Sequence, residues 1–141
     1  MRTQNWDTRL LAWADARLAE AFVWGQTDCV ILALEAHDLI TGTAMADEYR
    51  ARWDSNTSAY RFMREHDIDI ERGLVAAGCE DVAPGYLQRG DFILVEEGGW
   101  ICAHVCIGHL ALSSRPADGV VLNLDAMALA LRPGARVLRA G

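Results

Sequence analysis

Phe22-Val23-Trp24-Gly25-Gln26-Thr27-Asp28-Cys29, running on into Val30-Ile31-Leu32-Ala33-Leu34-Glu35-Ala36, is the stretch around which the rest of the chain falls into place. It reads as a tight turn that ends one helix and opens another. Gly25 supplies the backbone freedom for the turn. Thr27 or Asp28 caps the new helix by accepting hydrogen bonds from its free N–H groups. The apolar run that follows has little polar surface, which predicts a central, buried helix. Cys29 then stands in the first turn of that helix, at the positive end of its dipole. A thiol ionises more readily there, and the thiolate is the nucleophilic form. Cys29 is therefore the candidate catalytic cysteine.

Upstream, Trp6, Leu10, Trp13, Ala14, Leu18, Ala21 and Phe22 recur at steps of three and four, which predicts an amphipathic packing helix from about Asn5 to Ala21 with Asn5 as its cap. Downstream, Gly42 ends the buried helix, and His37 near its C-terminal end is expected as a favourable charge on the dipole. Short helices are expected over 44–52, 58–65 and 70–77, and Ala83-Pro84-Gly85-Tyr86 is a turn into a β-rich second part. There the strands are Phe92 to Val95, Trp100 to Ile107, Leu110 to Ser114, Val120 to Asn123 and Ala135 to Leu138, with a short helix over Asp125 to Leu131. Gly108-His109 is the two-residue turn of a hairpin. Helices first and strands after describe an α+β fold, with N-terminal helices packed on a C-terminal antiparallel sheet.

The 141 residues form a single domain, 1–141, large enough for a core without disulfide staples. The formal charge of -7 leaves no basic patch to neutralise phosphates, so no nucleic-acid partner is expected. No run is long and apolar enough for membrane insertion. The N-terminus lacks the charged, apolar and small-residue order of a signal peptide, so synthesis in the cytoplasm is expected. Cys29, Cys79, Cys102 and Cys106 are expected as reduced thiols, and no CxxC pair gives a zinc-finger spacing.

A nucleophilic cysteine needs a base, and the base needs an orienting partner. His104 lies inside a strand, in Ile101-Cys102-Ala103-His104-Val105-Cys106-Ile107. Alternation sets Ile101, Ala103, Val105 and Ile107 on a core-like face and Cys102, His104 and Cys106 on the other. Counting outward from the Gly108-His109 turn places His104 opposite Ser113, the candidate third residue, with Ser114, Asn123 and His109 as fallbacks. Three readings compete with catalysis. Cys29 is a small buried hydrophobe, or His104 is a satisfied structural histidine, or Cys29, Cys102, His104 and Cys106 gather round a metal. The reading carried forward has no metal and no cofactor.

Three blocks then occur in a telling order: Trp24-Gly25-Gln26-Thr27-Asp28-Cys29, then Gly90-Asp91-Phe92-Ile93-Leu94-Val95, then His104-Val105-Cys106-Ile107. In this the chain resembles the NlpC-like branch of the papain-like cysteine hydrolases, above all its short phage and prophage tail-associated members. The resemblance spans most of the chain. It implies a papain-like half-barrel sheet with the cysteine helix packed against it. It also implies hydrolysis of peptide amide bonds in peptidoglycan through a thioester, with Cys29 as nucleophile and His104 as base. Asp28 would shape the turn, and Trp24, Gly25 and the backbone N–H groups near Cys29 would form the substrate and oxyanion side. Other tail or tail-tip proteins are the implied partners, and the virion tail the implied destination. Val30 and Ile31 stand where the family has Ser and Gly, and Cys106 where it often has Gly. The alternative is a catalytically degenerate, structural tail component.

Overall fold

The structure is a computed structural model that describes all residues from Met1 to Gly141. Five helices come first: α1 (Trp6–Arg17), α2 (Cys29–Thr41), α3 (Met45–Tyr49), α4 (Asn56–Glu65) and α5 (Ile70–Ala76). They are followed by β1 (Glu80–Asp81), a single 3-10 turn at Pro84–Tyr86, β2 (Phe92–Glu97), β3 (Trp100–Cys106), β4 (Leu110–Arg115), β5 (Gly119–Asp125), α6 (Ala126–Ala130) and β6 (Arg136–Arg139). The fold is α+β, as the sequence implies. All strands join one antiparallel sheet in the order β1-β6-β2-β3-β4-β5.

The helix α2 is central because its sequence is apolar nearly all round. Eight of its residues are buried, from Val30 to Ile40. It packs on one face of the sheet, where Phe92, Leu94, Ala103, Val105, Leu112, Val120 and Leu138 complete a core cluster of 24 buried residues. The other face carries a smaller cluster in which Ile93, Val95, Cys106, Ala111 and Val137 meet Ala126, Leu129 and Ala130 of α6. The period-2 alternation of β2 and β3 therefore serves two cores, one on each side. Polar groups tie the helices together: the Glu35 carboxylate on α2 accepts from Trp13 Nε1 and Arg17 of α1 at 2.9 and 2.6 Å, and from Arg50 at 2.6 Å.

Three local expectations need correction. Asn5 has a left-handed backbone (φ 56) and makes no side-chain cap bond, so it precedes α1 without capping it. The helix also stops at Arg17, not near Ala21. Leu18 is extended, Ala19 has φ 69, and the Ala19 N–H donates to the carbonyl of Val120. Residues 19–20 are drawn onto the start of β5, where Gly119 has φ +71 and an added Cβ would meet the Glu20 carbonyl at 2.4 Å. Finally, His37 is not a charge on the dipole. It is buried, its Nδ1 lies 3.1 Å from Thr43 Oγ1, and desolvation lowers its pKa, so it is neutral.

The β3–β4 hairpin is the feature that positions the site. The two strands pair at Cys106–Ala111 and Val105–Leu112 and then part. Beyond that point β3 remains paired with β2 along its whole length, while β4 follows β5.

Candidate functional site

Gly25 turns the chain into α2 with φ +77, and an added Cβ would lie 2.2 Å from the carbonyl of Trp53. Only glycine fits both the backbone and the contact. Asp28 is the N-cap: its Oδ1 accepts from the N–H of Ile31 at 3.0 Å. Its Oδ2 accepts from the Gly25 N–H and from Trp53 Nε1, each at 2.7 Å. A carboxylate that is 2 % exposed is thus held by three donors. Asp28 closes the turn, caps the helix and anchors Trp53 in one step. Thr27 adds a second tie, accepting from the Val23 N–H and donating to the Ala21 carbonyl, both at 2.7 Å.

The turn enters the opening between β3 and β4. From the β4 side, Ser114 Oγ donates a very short hydrogen bond to the carbonyl of Thr27. From the β3 side, the backbone N–H of Ala103, which has lost its β4 partner, reaches the sulfur of Cys29. The Cys29 and Cys102 thiols act on each other's ionisation. Cys102 in turn contacts Glu97, which pairs with Arg115 at 2.9 to 3.0 Å.

The two thiols share their protons. Cys102 is lowered from the ordinary thiol value, chiefly because the Cys29 thiol hydrogen-bonds it. Cys29 is raised well above it by the same contact, by burial and by the charge on Cys102, against the opposing Ala103 N–H. The pair gives up one proton readily and the second with difficulty. Both cysteines line an open cleft of about 480 Å³, together with Phe22, Trp24, Trp53 and Trp100.

His104 makes no hydrogen bond to either thiol. It pairs across the ladder with Ile93 of the α6-side core, and its Nδ1 lies 2.6 Å from Ser113 Oγ in a hydrogen bond. The histidine and serine paired by counting from the turn do meet. The other ring nitrogen, Nε2, is buried with no hydrogen-bond partner. Neither ring nitrogen therefore bonds to the sulfur of Cys29, and the hydrogen-bonded Cys29–His104 dyad is not formed. The groups that bear on the imidazole are Arg115, Glu97 and Arg132. Burial first, and then the Arg115 charge, lower its pKa from 6.5 to about 4. It is a neutral ring at neutral pH.

The structure thus holds Trp24, Gly25, Asp28 and Cys29 together, and His104 with Ser113, and shows no hydrogen bond between the two sets, which sequence reasoning joins as nucleophile and base. Three contributors escaped that reasoning. Trp53 lies far along the chain and shows its role only through its indole bond to Asp28. Ser114, a fallback orienter for the histidine, instead holds the turn. Cys102 is the neighbour of Cys29 because β3 and β4 separate, and no residue pattern announces that split. No group of three or more His, Cys, Asp or Glu side chains is placed to hold a metal ion, so Cys29, Cys102, His104 and Cys106 do not converge as ligands.

No curated protein and no solved structure matches the chain. A family model does match, over residues 1–132, and its description is a domain of unknown function. With nearly its whole length covered, the chain belongs to the DUF6950 family.

Proposed function

We propose that this is a papain-like domain whose cysteine–histidine machinery has been dismantled, and that it serves as a structural component of a phage tail tip or tail assembly. The observation that carries the loss of catalysis is that His104, held by Ser113 at Nδ1, makes no hydrogen bond to Cys29 through its buried, unpartnered Nε2. A thiol raised by its neighbour, with no base hydrogen-bonded to it, is a poor nucleophile at neutral pH. The tail setting and the papain-like ancestry rest on the resemblance of the blocks at Trp24–Cys29, Gly90–Val95 and His104–Ile107. The apolar α2 packed on an antiparallel sheet is compatible with that ancestry. So is the fate of the Gly90-Asp91 block. Asp91 is fully buried and grips Arg139 of β6 with both oxygens at 2.8 and 2.9 Å, which is a structural task.

One observation favours the hydrolase reading. Cys29 stands on an aromatic-walled cleft at a helix N-terminus, where a wall peptide would reach it. Release of soluble fragments from purified peptidoglycan separates the two. The expected result is no release above background by wild type or Cys29→Ala, with equal incorporation of both into particles. Release by wild type that is lost in Cys29→Ala and in His104→Ala would establish the hydrolase instead.

A further inference from the structure

We infer that Cys29 and Cys102 form a reversible dithiol–disulfide couple that exchanges with low-molecular-weight disulfides entering the aromatic cleft. Four observations converge on this. The two thiols act on each other's ionisation although they come from different elements far apart in the sequence. Both residues line the same open cleft, which is wide enough for a small disulfide to enter. The Ala103 N–H on the Cys29 sulfur and the Arg115 guanidinium near Cys102 steady negative charge on the pair. The remaining cysteines lack this setting: Cys79 is buried in the main core, and Cys106 is buried on the other face with its thiol donating to the Gly108 carbonyl at 3.3 Å. Dithiol exchange needs an accessible thiolate and a second thiol within reach, and this pair alone has both.

The exchange balances as two displacements. The thiolate of the pair attacks one sulfur of the small disulfide RSSR. A protein–SR bond forms, the S–S bond breaks, and RS⁻ leaves and takes up the proton that the protein thiol gave up. The second cysteine then loses its proton and attacks the protein sulfur of the mixed disulfide, expelling the second RS⁻, which is protonated in turn. Two protein thiols are oxidised by two electrons and RSSR is reduced to two RSH. The product staples the N-terminus of α2 to β3 and removes Cys29 from the cleft as a free thiol. The couple is independent of whether the cleft meets a wall peptide.

The test is to equilibrate the whole protein with oxidised glutathione, quench in acid, and read thiol content and disulfide linkage by mass spectrometry. Two of the four thiols are expected to become resistant to alkylation, with a loss of about two mass units and a Cys29–Cys102 cross-linked peptide, all reversed by dithiothreitol. Cys79→Ser and Cys106→Ser are expected to behave as wild type. Cys29→Ser and Cys102→Ser are expected to retain a single glutathione adduct on the surviving partner. Four freely alkylated thiols in wild type, a stable unresolved adduct in wild type, or a cross-link between any other pair would each overturn the inference.

Discussion

Asp28 illustrates how much one side chain holds. Its carboxylate takes the N–H groups of Gly25 and Ile31 and the indole of Trp53, all out of water. Asp28→Ala leaves those three donors buried and unpaired, and is expected to cost about 3–5 kcal/mol of unfolding free energy in urea titrations. Asp28→Asn keeps one acceptor oxygen and should lose less. His104 makes a second residue-scale prediction. The unfolded ring titrates near 6.5 and the folded ring near 4. Between those values the unfolded chain binds the proton and the native one does not, so the stabilisation present above 6.5 is lost as pH falls toward 4. The loss is about 3 kcal/mol from this ring. His104→Gln is expected to flatten that acid limb in a plot of unfolding free energy against pH. The neutral His37, lowered in the same direction, accounts for part of what slope remains. An unchanged limb would show that His104 is protonated in the native state.

At the scale of elements, the parting of β3 and β4 determines which side chains meet. One position beyond the last paired residues, His104 and Ser113 still face each other and hydrogen-bond through their side chains. Farther along, the strands take partners from the turn into α2: the Ala103 N–H from Cys29, and the Ser114 hydroxyl from the Thr27 carbonyl. Ser114→Ala removes the bond to the Thr27 carbonyl at one side of this wedge and is expected to cost about 1 kcal/mol. It should also speed alkylation of Cys29 by iodoacetamide relative to Cys79, because the turn then moves away from β4. Equal ratios in variant and wild type would mean that the Ala103 side alone fixes the turn. The elements themselves were largely legible in the residues. The apolar run after Asp28 marks α2, Gly42 marks its end, and alternation marks β2 and β3. The early stop of α1 was not, because its cause is a tertiary bond from Ala19 to Val120 that overrides a continuing helical pattern.

For the molecule as a whole, helices before strands was enough to read an α+β class, and the two-sided sheet follows from which residues alternate. The candidate site was half legible. Local chemistry located Cys29 with its turn, and the short hairpin count located His104 with Ser113. That no hydrogen bond joins the two is a property of the assembled sheet that neither segment encodes alone. The strand order carries a further consequence. Strand β6 lies between β1 and β2, and Arg139 on it is the partner of the buried Asp91. On a ribosome, β2 through β5 emerge while that place is still vacant, leaving the β2 edge unpaired and the Asp91 carboxylate without its cation. Stable structure is therefore expected only after residue 139 has cleared the exit tunnel. Stalled nascent chains ending before Arg136 should be cut rapidly by added protease, and those extended well beyond Arg139 should resist it. Protection of the shorter chains would show that the helices and the β2–β5 strands hold together without their last neighbour.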